Sequence, residues 1–107
     1  MISTHVLDTS VGNPAANIPV TLEKRVEGDW KKLGKGATNG DGRIAFDCPS
    51  EEGVYRLLFE TEDYVSSQNK EHFFLKTPVI FEIKDTNRKY HVPLLLNPYG
   101  YSTYRGS

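Results

Sequence analysis

Apolar and polar residues alternate along this chain in short runs, separated by clusters of Gly, Pro, Asn and Asp. That pattern predicts many short strands joined by turns. Residues 3–7 read as a first strand, with Ser3, His5 and Leu7 on one face by period two. Residues 8–17, holding Gly12, Asn13 and Pro14, read as the loop after it. Over residues 18–25, Val20 and Leu22 alternate with Thr21 and Glu23, as in a half-buried strand. Glu27-Gly28-Asp29 has the spacing of a tight hairpin into a strand over residues 30–35.

Residues 38–42 concentrate turn formers, so Arg43 falls where an exposed loop gives way to the apolar run Ile44, Ala45 and Phe46. Residues 54–60 form the next strand candidate. Thr61 then supplies an N-cap for one short helix over residues 61–68, with Glu62 and Asp63 suited to the positive end. Val79, Phe81 and Ile83 alternate with Glu82 and Lys84, whereas residues 90–96 are continuously apolar, as in a strand covered on both faces. Pro98 and Gly100 turn the chain into a last strand over residues 101–105. About seven or eight strands with one short helix predict an all-β fold, a β-sandwich, and a length of 107 residues fits one domain over 1–107.

Composition narrows the possible partners. With 13 basic and 14 acidic residues the formal charge is -1, which gives no overall field for phosphate backbones or anionic lipid, so neither nucleic acid nor membrane is expected. The apolar runs are far short of the ~20 residues that span a bilayer. Cys48 is the single cysteine and has no partner for an internal disulfide, which favours a reducing compartment. The end Arg105-Gly106-Ser107 is not a Ser-Lys-Leu type peroxisomal address. Cytoplasm is therefore the expected location, with peroxisomal import by another signal left open.

Taken singly, the candidate chemical groups have ordinary explanations. His5 and His91 sit in predicted strands, where a histidine can simply hydrogen-bond at the sheet surface. His72 lies among charged and aromatic residues and reads as structural or solvated. Arg43 alone could be one half of a surface ion pair. No residues have metal-ligand spacing, no Gly-x-Ser-x-Gly elbow is present, and the glycines at 34, 36, 40 and 42 do not form a phosphate-cradling loop.

Four motifs, in order, change this picture. They are Ser3-Thr4-His5-Val6-Leu7-Asp8, Gly40-Asp41-Gly42-Arg43, the run from His91-Val92-Pro93-Leu94-Leu95-Leu96 to Pro98-Tyr99-Gly100-Tyr101, and the tail Tyr104-Arg105-Gly106-Ser107. Together they span almost the whole chain, and the chain resembles the 5-hydroxyisourate hydrolases of the transthyretin-like family. The transthyretins, which carry thyroid hormone, share that family's fold but lack this tail and the histidine pair. Asn97, where the family often has Ser, and Gly100, where a larger polar residue is common, depart from the pattern without removing a candidate catalytic group.

The resemblance implies a transthyretin-like β-sandwich, a homotetramer with sites in a channel between subunits, and hydrolysis of a ring amide of 5-hydroxyisourate. It implies catalytic roles for His5, Arg43, His91 and Ser107, and substrate contacts from His5, Arg43, Tyr104 and Arg105. The two imidazoles would activate water and transfer protons, with the choice of base open, and the guanidinium would meet the developing oxyanion. No cofactor or metal is required by this chemistry. Two other readings predict different behaviour: a ligand carrier would bind without turnover, and a purely structural sandwich would tolerate replacement of all these residues.

Overall fold

In the computed structural model, which describes residues 1–106, the strands in chain order are β1 (Ile2–Asp8), β2 (Asn13–Pro14), β3 (Pro19–Val26), β4 (Asp29–Ala37), β5 (Arg43–Phe46), β6 (Gly53–Glu60), β7 (Lys76–Ile83), β8 (Tyr90–His91), β9 (Leu94–Asn97) and β10 (Gly100–Thr103). One helix, α1 (Glu62–Ser67), follows β6. Eight of the strands have four or more residues, which matches the expected number, and they form two sheets. The all-β sandwich expected from the periodicity is what the chain adopts.

β1 organises the first sheet. On one flank it pairs in parallel with β8 at its start and β9 at its end. On the other it pairs antiparallel with β5 and then β2, and β10 is the edge strand beyond β9. The second sheet has the order β4-β3-β6-β7. The β3–β4 turn sets Glu27 at φ 52 and Gly28 at φ 85, and two positive φ values in succession are what a two-residue hairpin with right-handed strand twist requires.

Alternation then decides the faces. Ile2, Thr4, Val6 and Asp8 of β1 are buried, while Ser3, His5 and Leu7 are half-buried on the opposite face. Val20, Leu22, Leu57 and Phe59 of the second sheet join Ile2, Val6, Leu94 and Leu96 in one core cluster. Full burial of each large side chain contributes about 1.5–3 kcal/mol. Two of the polar groups drawn inside are hydrogen-bonded there: Thr4 donates to the Val92 carbonyl at 2.6 Å, and Thr38 donates to the Ala15 carbonyl at 2.7 Å.

Three sequence expectations are corrected. The apolar stretch 90–96 is two strands, β8 and β9, interrupted at Val92-Pro93; Pro93 has no N–H to give to a ladder, and His91 and Leu95 are only half-buried on the outer face. The last strand stops at Thr103 and not at Arg105, after which Gly106 forms an isolated bridge to His91. Thr61 does occupy the N-cap position, with Glu62 and Asp63 in the first turn, but its side chain makes no capping bond. The Thr61 side chain is fully buried, with its hydroxyl turned into the interior, so packing has overridden the cap.

Candidate active site

The outer face of the β1 sheet gathers residues from three distant parts of the chain. In the β1–β5 ladder His5 stands directly opposite Arg43, and in the β1–β8 ladder Ser3 stands directly opposite His91. Neighbouring strands lie ~4.8 Å apart, and Ser3 and His5 share a face by period two. His5, Arg43 and His91 therefore surround one short length of β1. His5 and His91 are half-buried and Arg43 is exposed.

The turn before β5 is built to deliver Arg43. The Asn39 side-chain oxygen accepts from the backbone N–H groups of Asp41 and Arg43 at 2.9 and 3.0 Å, an Asx arrangement that folds the loop on itself. Gly42 has φ +74, and a Cβ there would lie 2.5 Å from the Val6 carbonyl oxygen. That oxygen belongs to β1, whose Val6 N–H donates to the Gly42 carbonyl at 2.7 Å. Glycine is thus required by both conformation and space in the residue that sets the start of β5.

His91 is held on several sides. Its Nδ1 is 2.9 Å from Ser3 Oγ, its carbonyl accepts the Gly106 N–H at 2.7 Å, and its Cδ2 is packed so closely over Gly106 that a Cβ would come within 2.8 Å. Burial holds the His91 pKa below the ordinary imidazole value, and the neighbouring Arg43 guanidinium and His5 ring push it further in the same direction. His91 is accordingly neutral near pH 7, with one ring nitrogen able to donate and one to accept.

Ser3, Arg43 and His91 line an open hollow of about 650 Å³ together with Asp85, Arg88 and Lys89. Tyr104 and Arg105 do not line that hollow. They border a neighbouring groove of about 390 Å³, which shares Asp85 and Arg88 with it. Ser107 lies outside the described residues. Sequence reasoning missed Asp85, Arg88 and Lys89, which sit in a charged loop with no motif to mark them; it did see Ser3 on the face of His5, and that period-two relation was the available signal. His72 is remote from this face, near Ser66 and Glu62 of α1. Among the described residues no three His, Cys, Asp or Glu side chains group to hold a metal, and no helix is long and apolar enough to cross a membrane.

Two imidazoles and a guanidinium thus meet on the solvent side of one sheet of a two-sheet β-sandwich. A sequence model of the HIUase/Transthyretin family matches residues 2–106, and the chain belongs to that family. It is 46% identical over 110 residues to the 5-hydroxyisourate hydrolase of Salmonella typhimurium, covering 100% of this chain and 81% of the relative. The structure of Klebsiella pneumoniae 5-hydroxyisourate hydrolase superposes with a TM-score of 0.86 at 39% identity, covering 99% of this chain and 98% of that one. Sea bream transthyretin in complex with thyroxine superposes with a TM-score of 0.91 at 27% identity, covering 98% and 93% of the two chains.

Proposed function

We propose that this chain, acting as one domain over residues 1–107, hydrolyses 5-hydroxyisourate to 2-oxo-4-hydroxy-4-carboxy-5-ureidoimidazoline in urate breakdown. The observation that carries the reading is the meeting of His5, Arg43 and His91 on one face of β1, in a chain 46% identical to a protein named for that reaction. Water oxygen adds to the ring amide carbonyl, the carbon–nitrogen bond breaks, and the departing nitrogen takes up a proton as a carboxylate forms. An imidazole removes the proton from water and an imidazole returns one to nitrogen. Arg43, charged throughout the physiological range, stabilises the negative oxygen that develops between those steps.

Tyr104 and Arg105, in the groove that shares Asp85 and Arg88 with the hollow, bind the far side of the heterocycle, and the Ser107 hydroxyl orients the water or an imidazole. The working form in this reading is a homotetramer in the cytoplasm. Its support is physical. β7 and β10 are sheet edges, and Ile80, Phe73 and Tyr101 near them are 57%, 72% and 40% exposed, surface that association would cover. A second subunit would also roof an otherwise open hollow and keep bulk water from the charged groups.

The test generates 5-hydroxyisourate in place with urate oxidase and follows its ultraviolet absorbance with and without the protein. Faster decay in proportion to protein concentration is the expected result. Saturable binding of the compound with no change in its decay is the signature of a carrier and contradicts the proposal.

A further inference from the structure

We propose that Ser3 is a positioning residue for His91: its hydroxyl oxygen accepts the proton on Nδ1, keeps the ring in that one tautomer, and leaves Nε2 as the nitrogen that faces the bound heterocycle. This inference rests on the reaction proposed above but is carried by separate observations. Ser3 Oγ lies 2.9 Å from His91 Nδ1, and the two residues are register partners in the parallel β1–β8 pair. The adjacent Val92 N–H donates to the Ser3 carbonyl at 2.9 Å, so the hydroxyl and the ring are carried by backbones already tied together.

The opposite shoulder of the ring is closed as well. Gly106 lies against Cδ2 and leaves no room for a Cβ there. Nδ1 and Cδ2 flank the same ring carbon, so contacts on both sides oppose rotation about the bond joining ring to Cβ. Among the described residues no hydrogen bond engages Nε2, and His91 lines the open hollow.

The chemistry then decides which way the hydrogen bond runs. When Nε2 takes a proton from water, or returns one to the leaving nitrogen, Nδ1 keeps its own proton in both ring states. A partner that accepts from Nδ1 throughout therefore serves either direction of transfer, whichever histidine acts as base. A hydroxyl does this without adding charge. A carboxylate at the same place would favour the imidazolium and raise the pKa. In metal-ligating histidines the companion nitrogen is oriented in this manner by a neighbouring group, whose removal typically costs about 10–100-fold in metal affinity or activity, and a loss of the same order is expected for His91.

The experiment compares Ser3→Ala, Ser3→Val and Ser3→Thr by steady-state kinetics on 5-hydroxyisourate and by nitrogen-15 NMR of the His91 ring. Valine and threonine match in shape and differ by the hydroxyl, so the pair separates bonding from packing. We expect wild type to show Nδ1 protonated and Nε2 bare near neutral pH. Ser3→Ala and Ser3→Val should show a mixture of tautomers and a kcat lower by at least about tenfold with KM within about twofold, while Ser3→Thr keeps the single tautomer and most of the rate. A wild-type ring protonated on Nε2 overturns the proposal, as do equal rates in Ser3→Val and Ser3→Thr. If wild type itself fails to speed decay of 5-hydroxyisourate, the proposed function is lost, and the nitrogen spectra still decide the role of Ser3.

Discussion

His91 shows how a residue with an ordinary explanation in sequence acquires a chemical identity from its surroundings. Burial and the nearby Arg43 and His5 all disfavour its charged form, so a titration of its ring by NMR should have a midpoint below the ordinary value of 6.5. The sign follows directly: removing a positive neighbour makes protonation easier, and Arg43→Gln should move that midpoint to higher pH. An unchanged midpoint in Arg43→Gln would separate the two residues and contradict the geometry of the shared face. Where His91 is the imidazole that accepts the proton, its neutral form is required, and activity is retained at pH 7 and falls on acidification through that midpoint.

At the scale of the elements, the arrangement depends on β1 having different neighbours on its two flanks. The β1–β5 pairing brings Arg43 to His5, and the β1–β8 pairing brings His91 to Ser3. Gly42 guards the first of these. Gly42→Ala must place a side chain at φ +74 and 2.5 Å from the Val6 carbonyl, so we expect a loss of stability of at least about 1–2 kcal/mol from backbone conformation alone. Activity should fall by more than thermal denaturation accounts for, since the start of β5 must shift and Arg43 with it. A variant with wild-type melting temperature and rate would show the turn to be dispensable.

Much at this scale was legible in the residues. Alternation marked β1, β3 and β7, and Glu27-Gly28 marked the hairpin, because period two and turn chemistry are local properties of the chain. The break of residues 90–96 into β8 and β9 was hidden, because an apolar run does not tell how its backbone is paired, although Pro93 was the clue. The Thr61 cap failed for the converse reason. Its local signal was correct, but the demand of the core for a buried side chain is tertiary and leaves no mark on neighbouring positions. Ser3 was placed on the face of His5 by counting, yet its bond to His91 depends on a parallel pairing 88 residues away along the chain.

For the molecule as a whole, membership of the HIUase/Transthyretin family accommodates both a relative named as a hydrolase and a structure named as a transthyretin with thyroxine. The shared sandwich is therefore neutral between enzyme and carrier, and what weighs toward the enzyme is the set of groups on its outer sheet face. Assembly belongs to this scale too. Sedimentation velocity should show a tetramer, and Ile80→Glu, which puts a charge on the exposed side of edge strand β7, should dissociate it; a Glu variant that sediments as wild type would mean that association does not use this edge.

The most direct test of the account is the initial rate of 5-hydroxyisourate decay measured side by side for wild type, His5→Ala, Arg43→Ala and His91→Ala, with circular dichroism to establish that each is folded. Losses of at least about 100-fold are expected in each variant, the scale seen when a general acid–base group or an oxyanion partner is removed. Wild-type rates in the three folded variants would contradict it.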